Sequence, residues 1–142
     1  MWKQEGRISL WRYTANERNY PGWHLNADKA GCASLLALLQ ELTGSPGAQR
    51  TVQISAPGPA QLSVPNNQGG RAPWLAPEKL RVSCCSEPQV WSFPPDSEPA
   101  CLTVGASWLE PLRLGIRGIP EGRGDFSIGS GKNGSLPLWF WW

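Results

Sequence analysis

Apolar residues recur along the chain at two periods, and each period predicts an element. From about Asp28 to Leu42, Cys32, Leu35, Leu36, Leu39 and Leu42 fall at i, i+3, i+4, i+7 and i+10, with Leu38 widening the stripe. That is the face of an amphipathic helix. Asn26 or Asp28 is placed to cap it, Gly44 to take a left-handed C-terminal position, and Pro46 to prevent its resumption. Elsewhere the period is two. Arg7–Tyr13 sets Ile8 and Leu10 on one face and Trp11 and Tyr13 on the other, and Thr51–Ser55 alternates in the same way. Lys79–Cys85, Gln89–Phe93 and Ala100–Val104 follow one another through short turns, the pattern of an antiparallel meander.

Between these segments the breakers are informative. A polar loop follows Tyr13, and Tyr20-Pro21-Gly22-Trp23 fits a type II turn. Ala56 to Pro77 holds five prolines and the run Asn66-Asn67-Gln68-Gly69-Gly70, so it reads as a long excursion with a short edge strand at Leu62–Val64. Ser107-Trp108-Leu109-Glu110 has capping-box spacing, and Leu109, Leu112, Ile116 and Ile119 continue a helical stripe. A short helix over about 108–118 accommodates Pro111 only if that proline lies in the first turn. Asp125–Ile128 then leads through Asn133-Gly134 to the final run.

That run, Leu136-Pro137-Leu138-Trp139-Phe140-Trp141-Trp142, is the densest apolar stretch of the chain. Each aromatic side chain offers roughly 150–250 Å² for burial, and four of them in water would exceed the apolar patch a soluble monomer usually shows. At seven residues it is far short of the roughly 20 needed to span a bilayer. It is expected to dock as a strand inside a sheet. The expected fold is α+β: an antiparallel or mixed sheet of six or seven strands, one firm helix at about 28–42 and one short helix at about 108–118. A chain of 142 residues is most simply a single domain with the excursion at about 56–77.

Composition narrows function mainly by exclusion. A net charge of +2, with no run of five or six like charges, gives no polybasic arm for nucleic acid and no acidic tail. No long apolar segment argues for a membrane, and no apolar leader follows Met1. A cytoplasmic setting is therefore expected, with Cys32, Cys84, Cys85 and Cys101 reduced and mostly buried.

Candidate chemistry is sparse. Lys132 follows Gly129-Ser130-Gly131, but a phosphate loop needs glycine where Phe126 stands and Ser or Thr where Asn133 stands. Arg123-Gly124-Asp125 spells an adhesion tripeptide, yet its flanks read as a turn entering a strand. A zinc site or a thiol nucleophile would have to assemble from His24 and dispersed cysteines, and Cys32 lies on the helix stripe. No metal and no cofactor is expected. Nine tryptophans are the remaining feature. Trp91, Trp139 and Trp141 fall on strands and are expected in the core, while Trp2, Trp11, Trp23, Trp74 and Trp108 lie near termini, turns or element starts. Trp and Arg dominate protein–protein hot spots, so Trp11, Arg12, Trp23, His24 and Trp74 are the candidate binding residues.

These readings lead to a small intracellular, non-catalytic factor that binds another protein, as an inhibitor, an immunity-type protein or an accessory factor does. A carbohydrate or small-ligand module with a Trp platform is the first alternative. An enzyme without a local motif, using His24, Asp125 or a cysteine, is the second.

Overall fold

The computed structural model describes residues 1–14 and 20–142; the polar loop expected after Tyr13 falls on residues 15–19, outside the described residues. The architecture is α+β, with two sheets in place of the single sheet expected. The strands are β1 (Ile8–Tyr13), β2 (Trp23–Ala27), β3 (Gln49–Gln53), β4 (Trp74–Leu75), β5 (Lys79–Cys84), β6 (Trp91–Ser92), β7 (Ala100–Val104), β8 (Phe126–Ile128) and β9 (Leu138–Phe140). The helices are α1 (Lys29–Thr43), α2 (Pro59–Leu62) and α3 (Ala106–Gly118). One sheet has the order β4-β1-β2-β9-β8 and the other β3-β5-β7-β6.

The aromatic tail docks inside the first sheet as expected. β9 lies parallel to β2, with Trp23, His24 and Leu25 beside Leu138, Trp139 and Phe140, and antiparallel to β8. Both of its faces are apolar, so only an interior position of a sheet covered on both sides buries them. The front face carries Ile8, Leu10, Trp23, Leu25, Ala27, Leu138 and Phe140, and shares one core with the inner face of the second sheet, α1 and α3. The back face carries Trp11, Tyr13 and Trp141 and is closed by Leu62 and Ala72. The proline-rich excursion is thus the cover of the back face. The edge strand expected at 62–64 is instead the end of the single-turn α2, started by Pro59 and by the Gln61 side chain accepting from Gly58 N–H at 2.7 Å.

The expected meander is also corrected. β5 and β7 are parallel, and β6 adds antiparallel to the far side of β7. Pro94 and Pro95 lack the N–H groups that would extend β6, which stops at two residues and leaves one side of β7 to the longer β5.

α1 matches its pattern. The Asp28 carboxylate accepts from Gly31 N–H at 2.7 Å, which holds its pKa below the ordinary value, and Cys32, Leu35, Leu38, Leu39 and Leu42 are buried. Gly44 does not take the left-handed conformation; its φ is −79° and its N–H donates to the Glu41 carbonyl. α3 starts earlier than expected. Gly105 and Ser107 donate their N–H groups to the carbonyls of Val90 and Pro88, so the preceding loop serves the helix start instead of a Ser107 cap. Pro111 therefore sits in the interior, where it has no N–H to offer the Ser107 carbonyl. Gly115 has a packing reason: a Cβ there would collide with the Phe140 ring. No helix among the described residues is long and apolar enough to cross a membrane.

Candidate functional site

The strand register divides the five candidate residues between the two faces of one sheet. Trp11, His24 and Trp74 face the back, where Trp11 pairs with His24 and Tyr13 with Trp74. Arg12 and Trp23 pair with each other on the front.

His24 is fully buried inside a cage of rings. Trp11 stacks on it at 5.6 Å, Trp141 at 6.1 Å and Trp139 at 6.4 Å, while Tyr13 meets it edge-on at 4.8 Å. The Trp141 indole N–H donates to its Nδ1 at 2.9 Å, and its Nε2 lies 3.0 Å from the Tyr20 carbonyl. A nitrogen that accepts from an indole carries no proton, so the other is N–H and donates to the carbonyl. Burial pushes its pKa down to about 4, the Tyr20 carbonyl opposing weakly. Both nitrogens are occupied by the fold, and this His holds the tail in place.

The cysteines are equally committed. Burial pushes the Cys32 thiol up to about 11 and raises Cys84 as well, which keeps both protonated. Asp125 is exposed beside edge strand β8, and its N–H donates to the Phe140 carbonyl, away from the His24 cage. Arg123 of the adhesion tripeptide is paired to Glu121. Among the described residues no three His, Cys, Asp or Glu side chains gather where a metal would bind.

Tryptophan burial departs from expectation in an ordered way. Trp91 and Trp141 are buried as expected, and Trp2, Trp74 and Trp108 are half-buried as expected, but Trp139 is only half-buried and Trp11 and Trp23 are buried. Six of the nine indole N–H groups donate to distant parts of the chain: Trp2 to Ser34, Trp23 to Phe93, Trp91 to Leu136, Trp108 to Gln89, Trp139 to Pro21 and Trp141 to His24. These rings stitch loops to strands, which accounts for the high Trp content without a ligand.

The open site lies at one end of the front face, around Arg12. Two clefts meet there. One, of about 230 Å³, is lined by Arg12, Tyr13, Tyr20, Pro21, Pro95 and Asp96. The other, of about 140 Å³, is lined by Arg12, Trp23, Leu75, Pro77, Ser97 and Glu98. Arg12 follows Ile8 and Leu10 on the inward face, but at the sheet's end the core opens, and its side chain is half-buried. Among the described residues its side chain makes no ion pair or hydrogen bond, although Asp96 and Glu98 line the same clefts. Among the described residues the buried Ser97 hydroxyl has no hydrogen-bond partner, while the Tyr13 hydroxyl lies on the back face beside Trp11. Burial raises the Tyr13 pKa, the neighbouring Trp11 opposing. Leu75 on β4 is 53% exposed at the rim. Sequence reasoning missed Leu75, Asp96, Ser97 and Glu98. The run Pro94-Pro95-Asp96-Ser97-Glu98-Pro99, with three prolines and two acids around one hydroxyl, was their visible trace. No protein-family model, curated protein or solved structure matches the chain.

Proposed function

We propose that this is a small, non-catalytic factor that binds another protein through the double cleft at Arg12. The observation that carries the reading is a half-buried guanidinium with no partner among the described residues, bordering two clefts walled by prolines. Arginine is the side chain suited to such a role, because its planar fork offers five donors and is only weakly hydrated. Buried polar groups normally have partners within the fold. Among the described residues, Arg12 has none. The exposed Leu75 and the rigid Pro21, Pro77 and Pro95 supply the apolar, preorganised contact area of an interface. Of the sequence-based candidates the reading draws on Arg12, with Trp23 lining the smaller cleft. A reducing, intracellular setting agrees with the burial of Cys32 and Cys84 in the core.

Affinity capture from the native host tests the reading. The wild-type chain is expected to retain a protein that Arg12→Ala and Leu75→Asp both release, each variant losing about 30-fold or more in affinity with an unchanged melting temperature. Equal retention by all three chains, or retention of a glycan alone, overturns it.

A further inference from the structure

We infer that the free edge of β3 is a strand-pairing surface for a second copy of this chain, held shut by the side chain of Gln4. The edge belongs to the other sheet from Arg12, and the inference does not rest on the protein-binding reading above. Three observations lead to it.

The first is the length of the edge. Among the described residues, four strands end a sheet. β4 and β6 have two residues each and β8 has three, and prolines lie close to the first two, at Pro73, Pro94 and Pro95. Short strands and prolines are ordinary means of keeping a sheet edge from pairing with another chain. β3 has five residues, and none is proline.

The second is a contact that stands in for those devices. Gln4 Oε1 accepts from the Gln53 N–H at 2.8 Å, and Gln4 Nε2 donates to the Gln53 carbonyl at 2.9 Å. One exposed amide thus meets both backbone groups of one residue, as a paired residue of an added antiparallel strand does. The segment that carries Gln4 is fixed to α1 by other bonds: the Trp2 indole donates to the Ser34 carbonyl at 2.8 Å, and the Glu5 N–H to the Ser34 hydroxyl at 2.7 Å. Turning the Gln4 side chain away breaks neither anchor.

The third is the register that the edge allows. The Gln53 backbone groups point to Gln4, whereas the next N–H, of Ile54, donates to the Glu78 carbonyl just before β5. Alternation along the strand directs the N–H and C=O of Gln49 and Thr51 outward with those of Gln53. The Gln49 carbonyl accepts from Arg50 Nη1 at 2.8 Å and keeps a second lone pair. Among the described residues, no backbone bond outside the sheet reaches Thr51. A two-fold axis at Thr51 sets every outward residue against another: Thr51 against Thr51 of the second copy, and Gln49 against Gln53 twice. Threonine pairs are favourable cross-strand neighbours, and carboxamides are both donors and acceptors. Arg50 then meets Val52 instead of its own copy, and its charge is already paired to Glu41 at 2.9 Å. No like charges face one another across the pair. A foreign strand gains the same backbone bonds, but this symmetry of β3 matches its own copy.

Sedimentation velocity of the intact chain over a concentration series is the test. The wild type is expected to be monomeric in dilute solution, because pairing must displace two Gln4 bonds in each copy. Gln4→Ala should lower the dimer dissociation constant by roughly tenfold. Adding Thr51→Lys sets like charges across the axis and should return that variant to monomer, with high salt partly restoring the dimer. Adding Thr51→Cys instead should give a disulfide-linked dimer with oxidised glutathione, beyond any formed without the added cysteine, because the axis sets the two thiols opposite one another. Gln49→Cys in the same background faces Gln53 and should not. A Gln4→Ala chain no more associated than the wild type, a dimer indifferent to Thr51→Lys, or equal cross-linking from positions 49 and 51 overturns the inference.

Discussion

Protonation of His24 is the perturbation whose cost the structure sets most clearly. The ring is buried among Trp11, Tyr13, Tyr20, Trp139 and Trp141, with no carboxylate in the cage among the described residues. A proton on Nδ1 removes the acceptor for the Trp141 indole and sets two N–H groups against each other. The aromatic faces attract the imidazolium, by roughly 0.5–2 kcal/mol, but desolvation wins, and the folded pKa falls from 6.5 to about 4. The unfolded chain therefore binds the proton more tightly than the folded chain does. Stability is full above about pH 6.5 and declines as the pH falls towards 4, by about 1.4 kcal/mol per pKa unit, or about 3 kcal/mol over the window. That is a large share of the roughly 5–15 kcal/mol that holds a domain together. The Asp28 pKa is lowered, so its contribution is lost only as the pH falls below the ordinary carboxylate range, beneath this window. His24 is the sole histidine in the sequence, so its NMR titration is unambiguous, and urea unfolding at pH 7.5, 5.5 and 4.5 supplies the free energies. His24→Phe should be less stable at pH 7.5 and should lose the slope. A His24 resonance titrating near 6.5 in the folded protein, or an unfolding free energy flat from pH 7.5 to 4.5, would refute the reasoning.

Other expectations test the packing. Deleting Leu138–Trp142 removes β9 from between β2 and β8 and should abolish cooperative unfolding in circular dichroism melts; a truncated chain that melts cooperatively contradicts the docked-tail account. Gly→Ala inside a helix usually stabilises by up to about 1 kcal/mol, but Gly115→Ala drives a methyl into the Phe140 ring and should destabilise by about 1–3 kcal/mol, measured by urea unfolding. Thiol labelling of the native protein should modify Cys85 and Cys101, which are half-buried, well before Cys32 and Cys84; early modification of Cys32 would place α1 wrongly.

Legibility followed the range of the interaction. Local periodicity revealed α1, the faces of β1 and the apolar character of β9, because each depends on residues a few positions apart. Pairing partners were not legible: nothing in Lys79–Cys84 distinguishes a parallel neighbour from an antiparallel one, and β7 lies between β5 and the short β6. The tryptophans show the same limit. A Trp beside a turn looks exposed in sequence, yet Trp23 is buried because its indole reaches the Phe93 carbonyl seventy residues away. Arg12 was visible as a candidate, but its clefts were not, since they form where 20–22, 75–77 and 95–98 converge.

The central claim is that the Arg12 cleft holds a protein, and a photoreactive amino acid at Leu75 tests it most directly. Irradiation in living host cells, with a second chain carrying the group at Thr51 on the exposed side of β3 as control, is followed by mass analysis of the adducts. The account predicts a protein adduct at position 75, absent at 51 and lost with Arg12→Ala. An adduct confined to position 51, or one at 75 indifferent to Arg12, would contradict it.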